Sequence, residues 1–336
     1  MATIQDVARL AGVSTTTAKR AIRAPEKLAP ATLQRVREAI DALEYEPDQV
    51  ASALRSGQTT TIGLVIGSIV EPFFAELTRT IVHDARERGF SVIIADNEYR
   101  DDVEAAHLRT FYGNRVAGVI LRSAFGNGNL DYVLRMQRGG VAVVEVDYFA
   151  PGSPLSHVML DNARAVHQGV EHLVAHGHRR IATLSSYHPV LNPDERVQAF
   201  PEAMALKGLP LPDGYQRYAS PTEWEAYANT LALMRLESPP TALFATTGSM
   251  ARGTYRALRE LGLRVPDDVS LLAFDDYPWM QVVTPGIDTF AQPVAEIGHA
   301  AVRLLFDRIL GGPDVPVERL RLPARLIERG SVGPPA

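Results

Sequence analysis

The sequence predicts an α/β fold in which a small helical domain at the N-terminus precedes a larger core of parallel β-sheet. The first 43 residues carry apolar side chains at helical spacing, with a glycine between two short helical segments. From residue 61 onward, apolar runs of strand length alternate with amphipathic segments of helix length. Continuous apolar strands separated by helices are typical of parallel sheets that helices cover on both faces.

The alternation in the core has seven repeats. The strand-length runs lie at 62–67, 91–96, 117–121, 141–147, 180–186, 241–246 and 269–275. The helix-length segments include 75–88, 102–113, 162–176, 195–207, 223–236, 249–262 and 294–310. A last strand at 317–323 would cross back to complete a sheet.

Seven repeats fit either one large sheet or two smaller ones. Pro151, Gly152 and Pro154 interrupt the spacing around 148–160, which favours two lobes. We therefore expect a helical domain at 1–57 and a core at 58–336. The expected parts of the core are lobe 1, at about 61–160 and 293–323, and lobe 2, at about 161–291 and 324–330.

Bulk composition excludes several classes of protein. The chain has no cysteine, which rules out disulfides and cysteine-ligated zinc. No stretch approaches the roughly 18 uninterrupted apolar residues of a membrane span, and the N-terminus lacks an apolar signal-peptide core. We therefore expect a cytoplasmic protein with no membrane partner.

Charge is distributed unevenly along the chain. Seven of the first 37 residues are lysine or arginine and two are acidic, although the whole chain carries a net charge of −5. A basic head on an acidic body suits a protein that binds nucleic acid through one small domain. A solvated helix face with a chance excess of charge would give the same count, so charge alone leaves both interpretations open.

The N-terminal domain has the layout of a helix-turn-helix. Apolar spacing predicts a first helix up to Ala11, Gly12 allows a tight turn, and Ser14 can cap a second helix that ends before Pro25. Pro30 suits the first turn of a third helix. In this layout the first turns of the second helix face base edges in the major groove. The candidate DNA-binding residues here are Thr3, Ser14, Thr15, Thr16, Thr17, Lys19, Arg20 and Arg23.

Hydroxyl and cationic side chains are suited to that task. Thr15, Thr16 and Lys19 are spaced to point outward together, and threonine can bond base edges or phosphates. Lys19 and Arg20 can address guanine or phosphate. The alternative is a solvent-exposed helix in an ordinary three-helix domain.

The segment TIQDVARLAGVSTTTAKRAI resembles the opening of the LacI/GalR family of bacterial transcription regulators. The resemblance continues through EPFFAEL, LDNARAVHQGVEHLVAHGHRRIA, LRELGLRVPDDVSLLAFDDYP and QPVAEIGHAAVRLL, and so spans the chain. It implies a periplasmic-binding-protein-like core of two doubly wound parallel-sheet lobes. It also implies a homodimer that binds pseudo-palindromic operator DNA, usually as a repressor, under the control of a sugar-like or sugar-acid effector.

The resemblance assigns a further role to the segment 48–56. This segment is similar to the hinge helix of the family, and Leu54 falls where the family inserts a leucine into the minor groove. A linker residue that packs on the core is the alternative for Leu54. The chain departs from the family at Lys19, where serine is usual, at Asp48, where asparagine is usual, and at Ser52, where arginine is usual. The first change should alter operator preference, and the other two should weaken the hinge contact with phosphates.

The effector is expected between the lobes, at the carboxyl ends of the strands. Side chains just after strands include Asp96, Arg122, Asp147 and Asp275. From the resemblance, Arg196 is the effector-binding arginine, Asp275 a ligand carboxylate, and Trp224 a stacking aromatic. An N-cap role for Asp275 and a core role for Phe74 are the alternatives. The full set of candidate effector residues is Phe73, Phe74, Asp96, Arg122, Asp147, Arg196, Trp224, Thr247 and Asp275.

Two departures alter the expected pocket. Thr247 and Gly248 replace an asparagine–aspartate pair that is usual in the family, and Glu71 replaces an asparagine before Pro72. Loss of the aspartate would suit a more anionic effector, whereas Glu71 argues for the opposite. The sequence leaves both possibilities open.

Other motifs give no support to an enzyme or a metal protein. His172 and His176 have the i, i+4 spacing of helical metal ligands, but no glutamate stands where a metalloprotease needs its base. The glycines at 126–131 lack the context of a dinucleotide-binding loop. The sequence therefore predicts no catalytic residue, no cofactor and no metal. A solute-binding protein and a sugar-modifying enzyme are the alternatives that share this core layout.

Overall fold

The computed structural model describes residues 2–45, 59–186, 195–220 and 222–336. The chain divides into two compact units, Met1–Thr59 and Thr60–Ala336. The hinge segment 48–56, with Leu54, and the predicted boundary after residue 57 lie outside the described residues.

The first unit contains three α-helices among its described residues. Thr3 and Asp6 form a capping box at the start of the first helix, and Gly12 takes the left-handed conformation that the following turn requires. Apolar residues from all three helices form one small core around Val7 and Val36. The helices are α1 (Ile4–Leu10), α2 (Thr15–Arg23) and α3 (Pro30–Ala42).

The second unit contains two six-stranded sheets. In lobe 1 the strand order is β11-β5-β4-β3-β1-β2, and every pair is parallel. The strands are β1 (Thr61–Ile66), β2 (Ser91–Asp96), β3 (Gly118–Leu121), β4 (Ala142–Val146), β5 (Ser156–Leu160) and β11 (Arg319–Leu322). The helices are α4 (Pro72–Glu87), α5 (Asp101–Gly113), α6 (Leu130–Arg138) and α12 (Val294–Gly311).

In lobe 2 the strand order is β12-β10-β9-β8-β6-β7, and only β12 runs antiparallel to its neighbour among these strands. The strands are β6 (Ile181–Ser186), β7 (Gln216–Ala219), β8 (Ala242–Ala245), β9 (Ser270–Phe274), β10 (Asp288–Ala291) and β12 (Arg325–Ile327). The helices are α7 (Asn162–Ala175), α8 (Glu195–Leu206), α9 (Glu223–Leu233), α10 (Gly248–Glu260) and α11 (Pro278–Val282).

Two apolar clusters cover the faces of each sheet, as expected for parallel strands flanked by helices. The chain passes between the lobes three times, after β5, after β10 and after β11. These strands lie at or next to one edge of their sheets. That edge is where the lobes are covalently joined.

The structure has elements that the sequence pattern did not reveal. β5 occupies part of the segment 148–160, which the prediction treated as an interruption, and β7, β10, β12, α6 and α11 were also missed. Ser156 and His157 open β5 with polar side chains, so the strand lacks an apolar start. Within the described residues, no helix is long and apolar enough to cross a membrane.

Candidate functional site

The outer face of α2 carries the polar residues predicted to contact DNA. Ala18 and Ala21 are buried against the other two helices, which turns Thr16, Lys19 and Arg20 to solvent. A helix with one small apolar face and one hydroxyl-rich, cationic face can enter a DNA groove while it stays anchored to its own domain.

Three of the predicted DNA-binding hydroxyls also organise the helices. Ser14 caps α2, because its Oγ accepts a hydrogen bond from the backbone N–H of Thr17 at 3.1 Å. The Ser14 and Thr17 hydroxyls lie 2.9 Å apart, and Thr15 is partly buried. Thr3 donates its hydroxyl to Asp6 at 2.7 Å, which stabilises the start of α1. Arg23 is the last residue of α2.

A cavity of about 350 Å³ lies between the two lobes at the carboxyl ends of their strands. This volume is near the lower end of the range of roughly 300–1,000 Å³ for small-molecule sites. Seven of the predicted effector residues line the cavity: Phe73, Phe74, Arg122, Asp147, Arg196, Thr247 and Asp275.

Arg122 forms the lobe 1 side of the cavity inside a cage of aromatic rings. Its guanidinium carbon lies 4.7 Å from the ring centre of Tyr99, 4.4 Å from that of Phe125 and 5.0 Å from that of Tyr148. Its Nε donates to Asp147 at 3.3 Å, and Asp147 has a positive φ of 65° directly after β4. These contacts hold both a cation and a carboxylate in place at the cavity wall.

Arg196 forms the lobe 2 side and is held just as firmly. Its Nε donates to the Asn162 side chain and its Nη1 to the carbonyl of Thr246, both at 2.7 Å. The guanidinium carbon lies 4.5 Å from the ring centre of Phe274. Arg196 is 9% exposed, so its position depends on these neighbours rather than on solvent.

Asp275 links three elements of lobe 2. One carboxylate oxygen accepts from the backbone N–H of Gly248 at 2.8 Å, and the other accepts from the Gln292 side chain at 2.7 Å. Its backbone carbonyl accepts the hydroxyl of Thr289. Asp275 thus accepts one of the free backbone N–H groups at the N-terminus of α10, although it lies outside that helix. Thr247 is the N-cap of α10, and its hydroxyl accepts a hydrogen bond from the backbone N–H of Met250.

Glu71 connects the two lobes. It lies directly before α4 in lobe 1, and its two carboxylate oxygens accept hydrogen bonds from lobe 2. The Ser249 hydroxyl donates to Oε1 at 2.8 Å, and the Tyr277 hydroxyl donates to Oε2 at 2.9 Å. Glu71 and Tyr277 both line the cavity.

Models of protein families match both parts of the chain. Residues 3–48 match the lacI family of bacterial regulatory proteins, and residues 170–332 match the periplasmic binding protein-like domain. The chain is 31% identical over 334 residues to the HTH-type transcriptional repressor PurR of Mannheimia succiniciproducens, covering 99% of each chain. It is 32% identical over 335 residues to the ribose operon repressor of Escherichia coli strain K12, covering 98% of this chain and 100% of the relative. The chain belongs to the lacI family.

Solved structures agree with this membership. A complex of the transcriptional regulator CelR with cellobiose has a TM-score of 0.74 at 30% identity, covering 98% of this chain and 100% of that one. The lac repressor dimer bound to operator and the anti-inducer ONPF has a TM-score of 0.87, covering 99% of each chain. At 24% identity the second likeness establishes the fold alone. The helix-turn-helix domain and the two-lobed core of this lacI-family protein are therefore as predicted.

Two predicted effector residues lie outside the cavity. The Asp96 carboxylate instead accepts the backbone N–H groups of Ile69 and Glu98, at 2.8 and 2.9 Å, and so shapes the loops after β1 and β2. Trp224 is 66% exposed near the start of α9, where it stacks on Tyr227. The prediction that these two residues face the effector is corrected accordingly.

Five aromatic residues are among the lining residues that the prediction missed. Tyr99 and Phe125 lie three and four residues beyond β2 and β3, too far to be found by searching strand ends. The remaining missed lining residues are Glu71, Tyr148, Phe149, Pro151, Met159, Asn162, Ser186, Glu195, Gln198, Tyr277 and Gln292.

The histidine cluster in EHLVAHGH has structural contacts. His172 Nε2 lies 3.3 Å from Asp288 Oδ2, and His176 Nδ1 lies 2.9 Å from the carbonyl of His172. His178 is buried, and its ring nitrogens lie 2.9 Å from the hydroxyls of Thr241 and Ser270. These contacts tie α7 and the following turn to the lobe 2 sheet.

Proposed function

We propose that this lacI-family chain is a transcription repressor that binds a pseudo-palindromic operator as a homodimer through α2. Its DNA affinity would be controlled by a small, uncharged, polyhydroxylated effector in the cavity between the lobes. The observation that carries the proposal is the combination in one chain of a basic helix-turn-helix and a preformed interlobe cavity lined by fixed polar groups.

The face of α2 supports sequence-specific binding. Thr16, Lys19 and Arg20 are exposed together, so hydroxyl and cationic groups can contact base edges and phosphates in one groove. Thr3, Ser14, Thr15, Thr17 and Arg23 also remain predicted DNA contacts. Leu54 remains the predicted minor-groove wedge.

An edge strand supports association with a second copy. β2 is the outermost strand of the lobe 1 sheet, and its Ile93 and Ile94 are 40% and 42% exposed. An edge strand with exposed apolar side chains is a surface that proteins normally cover. A two-fold dimer would cover it and would match the symmetry of a pseudo-palindromic operator.

The charges in the cavity favour an uncharged effector. Its described lining contains the carboxylates Glu71, Asp147, Glu195 and Asp275 against two guanidinium groups, Arg122 and Arg196. Glu195 is paired with Arg321 at 2.6 Å, and Asp147 is paired with Arg122, so the remaining balance is negative. A phosphate or sugar acid would meet net repulsion, and this supports a neutral ligand over an anionic one.

Aromatic rings and fixed hydrogen-bonding groups suit a sugar. Tyr99, Phe125, Tyr148 and Phe149 present ring surfaces, and hydroxyl groups can both donate to carboxylates and accept from guanidinium. The solved CelR structure contains cellobiose, and a lacI-family regulator from Enterococcus faecium contains ribose. The relatives are regulators rather than enzymes, and we extend that to this chain.

Selection of DNA from a random library by the purified full-length chain tests the DNA-binding part. We expect enrichment of a two-fold-symmetric site. The Arg20→Ala variant should bind this site more weakly than the unaltered chain does. The matched control is Arg109→Ala, which removes one exposed arginine from α5 in the core and should leave binding unchanged. Selection of no symmetric site, or equal loss in both variants, would contradict the proposal.

A further inference from the structure

The hydrogen bonds of Glu71 cross the cleft at a point far from the interlobe connections. The connections leave lobe 1 at β5 and β11, and β1, which precedes Glu71, is three strands away from β5. At about 4.8 Å between strands, this separation is about 14 Å. Opening the cleft by about 10° about that edge would lengthen the contacts at Glu71 by about 2 Å and break them.

The donor groups of this contact are held ready to bind a carboxylate. Tyr277 is 7% exposed, and burial together with the nearby Asp275 and Glu71 carboxylates raises the pKa of its phenol, so its hydroxyl keeps the proton that it donates. Ser249 lies in the first turn of α10, where the helix dipole favours a negative charge.

Gly248 makes the position of Tyr277 possible. A Cβ atom at residue 248 would lie 2.4 Å from Cε2 and 2.6 Å from Cδ2 of the Tyr277 ring. The ring therefore occupies the space that a side chain at 248 would fill. The two departures from the family pattern, at Gly248 and Glu71, are thereby explained by one arrangement: the glycine admits the tyrosine, and the tyrosine binds the glutamate.

We propose that Glu71, Ser249 and Tyr277 form an interlobe latch that holds the two lobes of the core together. The latch borders the cavity. An effector must therefore either enter while the latch is broken, or bind beside the latch while its hydrogen bonds are intact. The latch thus sets the fraction of molecules whose cleft is open, and with it the access to the cavity. This inference concerns the core alone and holds whether or not the chain binds an operator.

Hydrogen–deuterium exchange on the full-length chain tests the latch without knowledge of the effector. Tyr277→Phe removes one of its hydrogen bonds and Ser249→Ala removes the other. The matched control is Tyr227→Phe, because the Tyr227 hydroxyl donates to Glu260 at 2.6 Å within lobe 2 and does not cross the cleft. Exchange is followed in the lobe 1 segments 97–100, 122–127 and 147–151, which border the cavity and contain none of the substituted residues.

We expect exchange in these segments to be about tenfold faster in Tyr277→Phe and Ser249→Ala, since each loses a hydrogen bond to a charged group. The Tyr227→Phe control should exchange like the unaltered chain. Tyr277 is buried, so Tyr277→Phe could fail to fold. In that case the test rests on Ser249→Ala alone, because Ser249 is partly exposed and its substitution disturbs the core less. Exchange in the folded latch variants equal to that of the control would overturn the proposal.

Discussion

Substitution of Gly248 by alanine would place a methyl group directly against the Tyr277 ring. The added methyl group would stand 2.4, 2.6 and 2.8 Å from three atoms of the Tyr277 ring, well inside normal carbon–carbon contact. The ring is only 7% exposed, so it cannot swing freely into solvent. It must shift within the core, and the shift pulls its hydroxyl away from Glu71.

The expected cost follows from three contributions. Overpacking a well-filled core costs about 1–3 kcal/mol. Loss of a hydrogen bond to a carboxylate costs about 1.5–3 kcal/mol. The higher helix propensity of alanine stabilises the folded chain by about 1 kcal/mol relative to glycine. We therefore expect Gly248→Ala to lower the free energy of unfolding by about 1.5–5 kcal/mol.

Urea unfolding followed by tryptophan fluorescence measures this change, since both tryptophans, Trp224 and Trp279, lie in lobe 2. For a slope of about 3 kcal/mol per molar urea, the midpoint should fall by about 1 M. The control is Gly113→Ala at the end of α5, where a Cβ would meet nothing within 4 Å. Equal midpoints for the two variants would refute the steric argument.

Three further predictions concern pH, the C-terminal segment and DNA sequence preference. Burial, with Arg319 and Arg321 nearby, lowers the pKa of His157 to about 4, so the unfolded chain binds a proton at His157 at a higher pH than the folded chain does. The free energy of unfolding should therefore fall by about 3 kcal/mol from pH 6.5 down to pH 4. In urea titrations His157→Gln should make this dependence on pH weaker. Burial alone would raise the pKa of Asp288, but bonds from His172 and backbone N–H groups near the C-terminus outweigh it and lower the pKa. The stability that ionised Asp288 contributes is therefore present above pH 3.8, and it is lost as the pH falls through the pKa that Asp288 has in the folded protein. Asp288→Asn should lower the free energy of unfolding by about 2–3 kcal/mol in urea at neutral pH. A decrease below about 0.5 kcal/mol would contradict this role of Asp288. Lys19→Ser should change the bases enriched at one position of each half-site, by about 1–3 kcal/mol in binding, and an unchanged selected sequence would contradict a base contact.

Much of the fold was predictable because its segments follow simple periodicities. The helices of the first unit and the alternating core elements were predicted within a few residues of their observed ends. β5 was missed because its first residues, Ser156 and His157, are polar. They are buried against partners, several of which lie far away along the chain. Ser156 Oγ accepts hydrogen bonds from Arg308 and from the backbone N–H of Glu318, both at 3.0 Å, and the ring of His157 stacks on Phe149. No local pattern contains that information.

The candidate site was predictable where chain position alone places a side chain. Arg122, Asp147 and Asp275 follow strands directly, and all three line the cavity. Asp96 is the last residue of β2, but nearby backbone N–H groups occupy its carboxylate, a competition that the sequence does not reveal. Contacts across the cleft, such as that of Glu71 with Tyr277, depend on how two lobes pack. They could not be predicted before the lobes were placed.

Binding of one ligand in the interlobe cavity is expected to change the affinity of the helix-turn-helix domain for DNA. The direct measurement is fluorescence anisotropy of the full-length chain on its selected symmetric site, with and without the neutral sugar that most raises its melting temperature. We predict a change in Kd of at least about tenfold, within the usual range of allosteric coupling. An identical Kd at saturating sugar, for a sugar that demonstrably binds the core, would contradict the account.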